Sequence, residues 1–341
     1  MLVLFFVKHN KLHRGRPSRE AIYERLREAV AELSERMGGL PSPLEAEDIW
    51  ASIWHQEAHH STALEGNTLA LHQVASLLEE GMALGNKELR EYVEVTGYAQ
   101  AAKWVYEQAR DSHHSSSGAP ITLTEVRYVH ELVLGPVWDI APHPNATVEE
   151  RPGSFRRHEI KAFPGGMKPP SWIEVNAAMT DWVATLADLQ PATFSVEVVA
   201  DAHASFERIH PFLDGNGRTG RLLTNLVLVR MGYPPAIIYT RDRARYLRAL
   251  QAADRGDAGP LGELFARSIT DNLYRFILPA VAAPDALVPL TALASEGRSV
   301  AALRAAIERG RLRAHKGTDG QWRSSESWLN EYLESKHQRH E

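Results

Sequence analysis

The sequence contains no cysteine among its 341 residues. This absence excludes a disulfide framework and any metal site that uses thiolate ligands. A chain without cysteine is typical of proteins that work in a reducing compartment, so we expect a cytoplasmic protein.

The sequence also lacks a long hydrophobic run. The apolar stretch at residues 2–7 is too short for the core of a signal peptide with its flanks, and far too short to cross a bilayer. We therefore expect no contact with a membrane. The formal net charge of −5 excludes a general attraction of the whole chain to nucleic acid, so any basic site must be local.

One stretch holds many reactive and ligand-binding side chains. It covers residues 210–221 and reads His-Pro-Phe-Leu-Asp-Gly-Asn-Gly-Arg-Thr-Gly-Arg. Gly215 and Gly217 allow a tight turn that brings backbone N–H groups against a ligand. The apolar run that follows has helical spacing and stops at Gly232. The loop therefore leads into a helix N-terminus, which favours an anion.

The charged residues of this stretch suit a nucleotide phosphate. Arg218 and Arg221 offer guanidinium groups to phosphate oxygens. Asp214 is a hard oxygen ligand for Mg²⁺, which usually binds together with a substrate phosphate. His210 can accept a proton near neutral pH. A plain turn between two helices would need none of these groups, so we interpret the stretch as a phosphate cradle with a general base beside it.

The stretch resembles the signature of the Fic family, His-x-Phe-x-(Asp/Glu)-Gly-Asn-Gly-Arg-x-x-Arg, at every fixed position. The resemblance implies a mainly α fold, with a helical Fic core and a β-hairpin flap. It implies transfer of AMP from ATP to a Ser, Thr or Tyr hydroxyl of a target protein or of the chain itself, with Mg²⁺ as the cofactor. His210 would be the catalytic base and Asp214 the metal ligand. The nucleotide phosphates would contact Gly215, Asn216, Gly217, Arg218, Thr219, Gly220 and Arg221.

A helix predicted over about residues 45–66 ends in Ser-Thr-Ala-Leu-Glu-Gly. Glu65 lies at the unfavourable end of the helix dipole, so we expect an arginine partner for it. The segment resembles the inhibitory helix of Fic proteins, (Ser/Thr)-x-x-x-Glu-(Gly/Asn). This resemblance implies that Glu65, together with Ser61, regulates the enzyme by pairing with Arg221 and denying it to ATP. In some relatives the same glutamate orients a water that removes AMP, so activity in both directions stays open.

Helix breakers at both ends of residues 151–166 predict a β-hairpin. Its Pro-Gly-x-Phe-Arg segment resembles the start of the Fic flap. The resemblance implies that an extended target segment adds as a strand along the flap residues Ile160, Lys161, Ala162 and Phe163.

The resemblance also implies an adenine pocket at Tyr246 and Leu247. Asp254 stands where the family usually has asparagine. Because a carboxylate accepts hydrogen bonds but donates none, selectivity for adenine stays open.

Residues 285–341 resemble a small winged helix-turn-helix domain. We expect helices over 290–295 and 299–309, a two-stranded wing over 311–323, and a last helix capped by Ser324. Positions 297–324 contain seven Lys and Arg residues but only two acidic residues, so this segment is basic in an otherwise acidic protein. Contact with DNA and contact between two copies of the chain are both open.

These patterns predict three regions: an N-terminal helical region at 1–110 with the inhibitory helix, a catalytic core at 111–280, and the winged helix at 285–341. The alternative to an adenylyltransferase is a DNA-binding regulator whose Fic core senses nucleotide without turnover.

Overall fold

Amphipathic segments of the sequence form most of the structure. A computed structural model describes residues 17–41, 46–108, 120–161, 167–190, 194–277, 287–295, 297–316 and 321–337. The helices are α1 (Arg19–Met37), α2 (Glu47–Leu64), α3 (Leu71–Glu80), α4 (Leu89–Gln108), α5 (Leu123–Ile140), α6 (Val175–Thr185), α7 (Val196–Ile209), α8 (Asn216–Arg230), α9 (Arg243–Ala253), α10 (Gly259–Asn272), α11 (Val300–Glu308) and α12 (Glu326–His337). The strands are β1 (Val288–Pro289), β2 (His315–Lys316) and β3 (Trp322–Ser324).

The predicted mainly α fold class is confirmed. The chain divides into two compact units, one formed by Met1–Pro41 with Leu273–Glu341 and the other by Ser42–Asn272. The contacts therefore group α1 with the C-terminal residues, whereas the predicted division kept residues 1–110 together. Within the described ranges, no helix is long and apolar enough to span a bilayer.

Helix α8 lies at the centre of the larger unit. It is buried along almost its whole length, with Leu222, Leu226 and Leu228 fully enclosed. Helices α2, α4, α5 and α7 pack around it. A helix that is buried on all sides is held in place by the elements that surround it. The residues of the glycine-rich stretch therefore lie at the N-terminal end of a fixed central helix.

Three helices begin at an N-cap residue with a side-chain hydroxyl. Ser18, Thr122 and Ser299 each accept a hydrogen bond from the backbone N–H three residues on. The predicted cap at Ser324 is wrong by one residue. Ser325 accepts from the N–H of Trp328, while the hydroxyl of Ser324 donates to the carbonyl of Arg313.

The C-terminal residues form an antiparallel sheet in the order β1-β3-β2, with α11 and α12 enclosing a small core that includes Leu303, Leu312 and Leu329. The first helix predicted for this region, over 290–295, is not formed. Its residues make i to i+3 turns instead, and the backbone of Ser295 pairs with that of Arg298. The helix–strand–strand–helix order after residue 299 agrees with the predicted wing, and assignment as a winged helix stays a prediction.

The predicted β-hairpin differs from the structure in its described part. Residues 151–161 have no strand pairing. The N–H of Arg157 donates to the carboxylate of Glu150 at 2.5 Å, and that of Arg156 donates to the carbonyl of Pro211 at 2.8 Å. Backbone groups that a hairpin would pair with each other are therefore used elsewhere. The remaining flap residues, Ala162 and Phe163, lie outside the described residues.

A buried carboxyl group attaches α2 to its neighbours. Glu57 is only 2% exposed. It accepts hydrogen bonds from Tyr98 at 2.8 Å, from Asn225 at 2.7 Å, and from Tyr106. Asn225 belongs to α8, and the two tyrosines belong to α4. Residues four apart on a helix share a face, so Glu57 orients the side of α2 that also carries Ser61 and Glu65.

We expect the charge of Glu57 to make stability depend on pH. Burial raises its pKa from an ordinary 4.5 to about 7, although its three hydrogen bonds oppose the rise. Between these values the folded chain holds a proton that the unfolded chain has lost, so the free energy of unfolding falls as the pH rises. Glu57→Gln stays neutral. It should therefore gain about 1–3 kcal/mol relative to the parent between about pH 5 and about pH 8.

Urea unfolding of both proteins at the two pH values measures this gain. The matched control is Glu107→Gln, which changes an exposed glutamate of α4. An equal pH dependence of the parent and of Glu57→Gln would show that Glu57 is already ionised in the folded chain.

Candidate functional site

The loop between α7 and α8 has an unusual backbone at its first residue. His210 has φ 50° and ψ 61°, and among the described residues it is the one non-glycine with positive φ. This left-handed conformation costs a side chain about 1–2 kcal/mol. Contacts around the loop must therefore hold it in place.

Hydrogen bonds from Arg156 stabilise this backbone conformation. Its side chain is 1% exposed, and its guanidinium donates to the carbonyls of His210 at 2.8 Å, His158 at 2.9 Å and Pro170 at 2.6 Å. A fourth contact reaches the carbonyl of Ile209 at 3.4 Å. The fork geometry of arginine lets one side chain satisfy several carbonyls at once. Arg156 therefore fixes the C-terminus of α7 and the imidazole that follows it.

The protonation of His210 follows from its partner. Its Nδ1 lies 3.2 Å from the carbonyl oxygen of Glu207, which can only accept, so Nδ1 carries the proton. The lone pair is then on Nε2. Burial lowers the pKa of His210 to about 4, and the charge of Arg156 acts in the same direction. The imidazole is thus neutral near pH 7 and can accept a proton at Nε2.

The interior of the loop is built around Phe212, which is fully buried. The side chain of Asn216 accepts from the N–H of Phe212 at 2.9 Å and donates to its carbonyl at 2.8 Å. The ring of His130 stacks on that of Phe212 with centroids 3.6 Å apart. The amide of Asn216 thus shapes the loop, and only its backbone is available to a ligand.

His130 connects the loop to the segment before Arg156. Its Nδ1 accepts from the N–H of Gly153 at 2.8 Å, so its proton is on Nε2, which donates to the carbonyl of Asp214 at 3.0 Å. Burial lowers the pKa of His130 to about 4. A neutral imidazole is the form that can make both hydrogen bonds, so this environment preserves the connection.

The turn into α8 requires glycine at two positions. Gly215 has φ 75°, and a Cβ there would collide with Leu134. A Cβ on Gly217 would collide with the carboxylate of Glu65. The first turn of α8 can therefore approach a ligand closely with its backbone N–H groups, which have no partner within the helix.

Asp214 keeps its negative charge in this position. Its Oδ1 accepts from the N–H of Gly215 at 2.6 Å and lies 3.3 Å from the guanidinium of Arg218. Arg90 lies 3.6 Å from Oδ2. Burial alone would raise the pKa of Asp214, but Arg218 and the other partners lower it below the ordinary value. The carboxylate is 36% exposed, so a cation can reach it.

The structure brings Glu65 and Arg221 together. The guanidinium of Arg221, 5% exposed, lies 2.8 Å from the carboxylate of Glu65. It also donates to the hydroxyl of Ser61 at 2.7 Å and to its carbonyl at 3.0 Å. Burial would raise the pKa of Glu65, but Arg221 lowers it below the ordinary value. The end of α2 therefore occupies a buried cation of α8.

Both residues border a cavity of about 480 Å³. Of the residues predicted to bind nucleotide or act in catalysis, the cavity is lined by His210, Gly217, Arg221, Tyr246, Leu247 and Asp254. Thr219 is fully buried, and Gly220 packs against Phe206 and Glu207. The flap residues Ile160 and Lys161 are not part of the lining.

A hydrogen-bond chain orients Tyr246. The hydroxyl of Thr224 donates to the carbonyl of Gly220, so it accepts from Nδ1 of His203 at 2.8 Å. Nε2 of His203 then accepts from the hydroxyl of Tyr246 at 2.7 Å. Burial lowers the pKa of His203 to about 3, which keeps this arrangement neutral. The ring of Tyr246 is fixed as one wall of the cavity.

Asp254 has a partner inside the chain. Its Oδ1 accepts from Nε of Arg208 at 3.1 Å. The departure from asparagine at this position therefore coincides with an ion pair between α7 and the end of α9.

Several residues of the site were not predicted from the sequence. Arg156, His130 and Arg243 act through contacts distant in the chain, such as the hydrogen bond from Arg243 to the carbonyl of Leu64 at 3.2 Å. His203 and Glu207 carried a signal, since they precede His210 by about two turns and one turn on the same helix.

Comparison with known proteins relates the chain to one family. Residues 120–228 match the family model described as Fic/DOC family. The "Protein adenylyltransferase Fic" of Aedes aegypti is 36% identical over 221 residues, which cover 64% of this chain and 40% of that protein. The protein of the same name in Drosophila virilis is 31% identical over 268 residues, covering 78% and 52%. The chain thus spans about half the length of these curated relatives.

Two solved structures of Fic proteins resemble this chain in fold. Fic-1 of C. elegans, residues 134–508, superposes with a TM-score of 0.61 at 29% identity and covers 75% of this chain and 72% of that one. A Fic domain containing signaling protein from Bacteroides thetaiotaomicron gives 0.59 at 25% identity, with coverage of 82% and 99%.

We expect Arg156→Met to destabilise the chain, because it leaves several buried carbonyls without a donor. The free energy of unfolding should fall by about 2–4 kcal/mol. Urea unfolding measures this loss. The matched control is Arg157→Met, at an exposed neighbour, which should change stability by less than about 0.5 kcal/mol. Equal losses in the two variants would contradict the assigned contacts.

Proposed function

The chain contains a domain of the Fic/DOC family, and from this premise we propose that it is a protein adenylyltransferase. It would transfer AMP from ATP to a Ser, Thr or Tyr hydroxyl of a target protein or of itself. One observation carries the proposal: His210, whose imidazole is neutral, Gly217 in the first turn of α8 and Arg221 all border one cavity.

The reaction requires a base and a site for an anion. The target hydroxyl oxygen attacks the α-phosphorus of ATP, the bond from that phosphorus to the bridging oxygen of the β-phosphate breaks, and pyrophosphate leaves. Nε2 of His210 takes the hydroxyl proton. Backbone N–H groups at the start of α8, with Arg218 and Arg221, stabilise the negative charge on the phosphate oxygens.

The chemistry of Asp214 fits a divalent cation such as Mg²⁺. An ionised, partly exposed carboxylate beside a phosphate site is the kind of single protein ligand that Mg²⁺ uses together with phosphate oxygens. Bound there, the cation would neutralise charge on the phosphates.

Glu65 would act as an inhibitor within the same chain. Its pairing with Arg221 removes the guanidinium from phosphate binding and places a carboxylate where negative charge must enter. Because 42% of the Glu65 side chain is exposed, it can leave when α2 shifts. The same carboxylate faces the cavity in which a water could be oriented to remove AMP, so the reverse reaction belongs to the proposal.

Target recognition along the flap, contact with DNA or a second copy through residues 285–341, and a cytoplasmic location stay predictions. They follow from the family resemblance and from composition. The rival function, a regulator that senses nucleotide without turnover, is separated from the proposed one by covalent labelling.

We expect Glu65→Gly to raise the incorporation of label from α-labelled ATP into protein. Freeing Arg221 restores a charge-assisted contact to phosphate, so the increase should be about tenfold or more. The matched control is Glu80→Gly, which removes an exposed glutamate at the end of α3. Equal labelling by the two variants would contradict inhibition by Glu65. A gel shift with DNA and no labelling by any variant would favour the rival function.

His210→Ala in the Glu65→Gly background should abolish labelling while ATP still binds. The loss follows because no other side chain is assigned to accept the hydroxyl proton. Calorimetry with ATP and Mg²⁺ reports binding, and gel autoradiography reports transfer. Persistent labelling would remove His210 from the mechanism.

A further inference from the structure

One carboxyl group in the cavity has no part in the proposed mechanism. Glu207 lies on α7 one turn before His210 and lines the cavity with a side chain that is 12% exposed. Its Oε1 is buried and has no hydrogen-bond partner among the described residues. Such a buried polar atom is costly, and the carboxyl group that contains it belongs to a residue of the cavity wall, where a ligand could supply hydrogen bonds.

The surrounding groups cannot supply a donor to Oε1. The nearest imidazole nitrogen, Nε2 of His203, lies 3.9 Å away and already accepts the hydroxyl proton of Tyr246. On the facing helix α8, a Cβ built on Gly220 would lie 2.6 Å from Oε1, so the carboxyl packs over bare backbone. Oε1 is therefore enclosed by the protein, and a ligand in the cavity can reach the carboxyl group only at its other oxygen, Oε2.

Burial favours the neutral form of Glu207. Burial raises its pKa to about 7, the carboxylate of Glu65 acts in the same direction, and Arg221 opposes the rise. Tyr246 on α9 and His203 on α7 face the same space as neutral groups. A neutral carboxyl offers one donor and one acceptor, and it does not repel a phosphorylated ligand.

The position along α7 indicates which part of a ligand Glu207 meets. His210 marks the reacting phosphate, and Ala204, also in the lining, lies almost two turns earlier. Glu207 stands between them, about 5 Å along the helix axis from His210. Tyr246 and Leu247 offer flat and apolar surface for a base. The group between an α-phosphate and a base is the sugar.

We propose that Glu207 is a specificity-determining residue whose carboxyl hydrogen-bonds a ribose hydroxyl of the bound nucleotide. The chemical class recognised is therefore a ribonucleotide. A ribose hydroxyl both donates and accepts, as a carboxyl does, and acidic side chains bind ribose hydroxyls in other nucleotide sites. The inference rests on the proposed function for the presence of a nucleotide and adds a selection on its sugar.

The test compares nucleotides that differ by one hydroxyl. The parent protein carries Glu65→Gly and His210→Ala, so that it can bind ATP with Mg²⁺ but not transfer AMP. Glu207→Ala in this parent should weaken ATP binding about tenfold in calorimetry. It should leave unchanged the binding of whichever analogue, 2′-deoxy-ATP or 3′-deoxy-ATP, lacks the contacted hydroxyl. Glu207→Gln keeps a donor and an acceptor and should bind ATP within about threefold of the parent.

Two controls separate recognition from structure. Asp201→Ala removes an exposed carboxylate of α7 and should not change binding of any of the three nucleotides. Glu207→Ala should unfold at the same temperature as the parent or higher, because it removes a buried group without a partner.

Several outcomes overturn the inference. These are unchanged ATP binding by Glu207→Ala, equal weakening for ATP and both deoxy analogues, or a large fall in its unfolding temperature. If the parent itself binds no ATP, the proposed function fails together with the inference. Failure in Glu207→Ala alone, with a parent that binds ATP, removes only the role of Glu207.

Discussion

The buried guanidinium of Arg221 is the charge on which the rest of the site depends. A cation that is 5% exposed must have an anionic or polar partner, since a buried charge without one is strongly destabilising. In the described conformation Glu65 and Ser61 are those partners. Phosphate oxygens could replace them, because they offer the same charge and geometry. The chain can therefore satisfy Arg221 in two ways that exclude each other, and this exclusion is the physical basis of the proposed inhibition.

Helix α2 is held more firmly at Glu57 than at Glu65. Glu57 attaches α2 to α4 and α8 through three buried hydrogen bonds, whereas Glu65 is 42% exposed at the end of the same helix. Loss of the Glu65 contact needs only the last turn of α2 to move. The attachment at Glu57 can remain, so Glu65 can leave Arg221 without unfolding the helix that carries it.

What could be predicted from the sequence was local. The glycine-rich loop and the helix that follows it depend on neighbours within a few residues. The pairing of Glu65 with Arg221 came from family resemblance and from the dipole at a helix end. Arg156 and His130 were not predicted, because their partners are distant in the chain and become neighbours only after packing. The segment 151–161 was expected to pair with itself, but Glu150 and the loop at Pro211 compete for its backbone.

The carboxyl groups that line the cavity explain why one of them can act as an inhibitor. Asp254 is paired with Arg208, and burial raises the pKa of Glu207 to about 7. Of the carboxyl groups in the lining, Glu65 is thus the one whose charge is balanced by Arg221, the residue proposed to bind phosphate. Displacing it removes a negative charge and exposes a positive one in a single movement. Under the proposed function, a triphosphate and Glu65 compete through the same electrostatic change, and selection on the sugar falls to Glu207, a neighbouring carboxyl whose burial favours the neutral form.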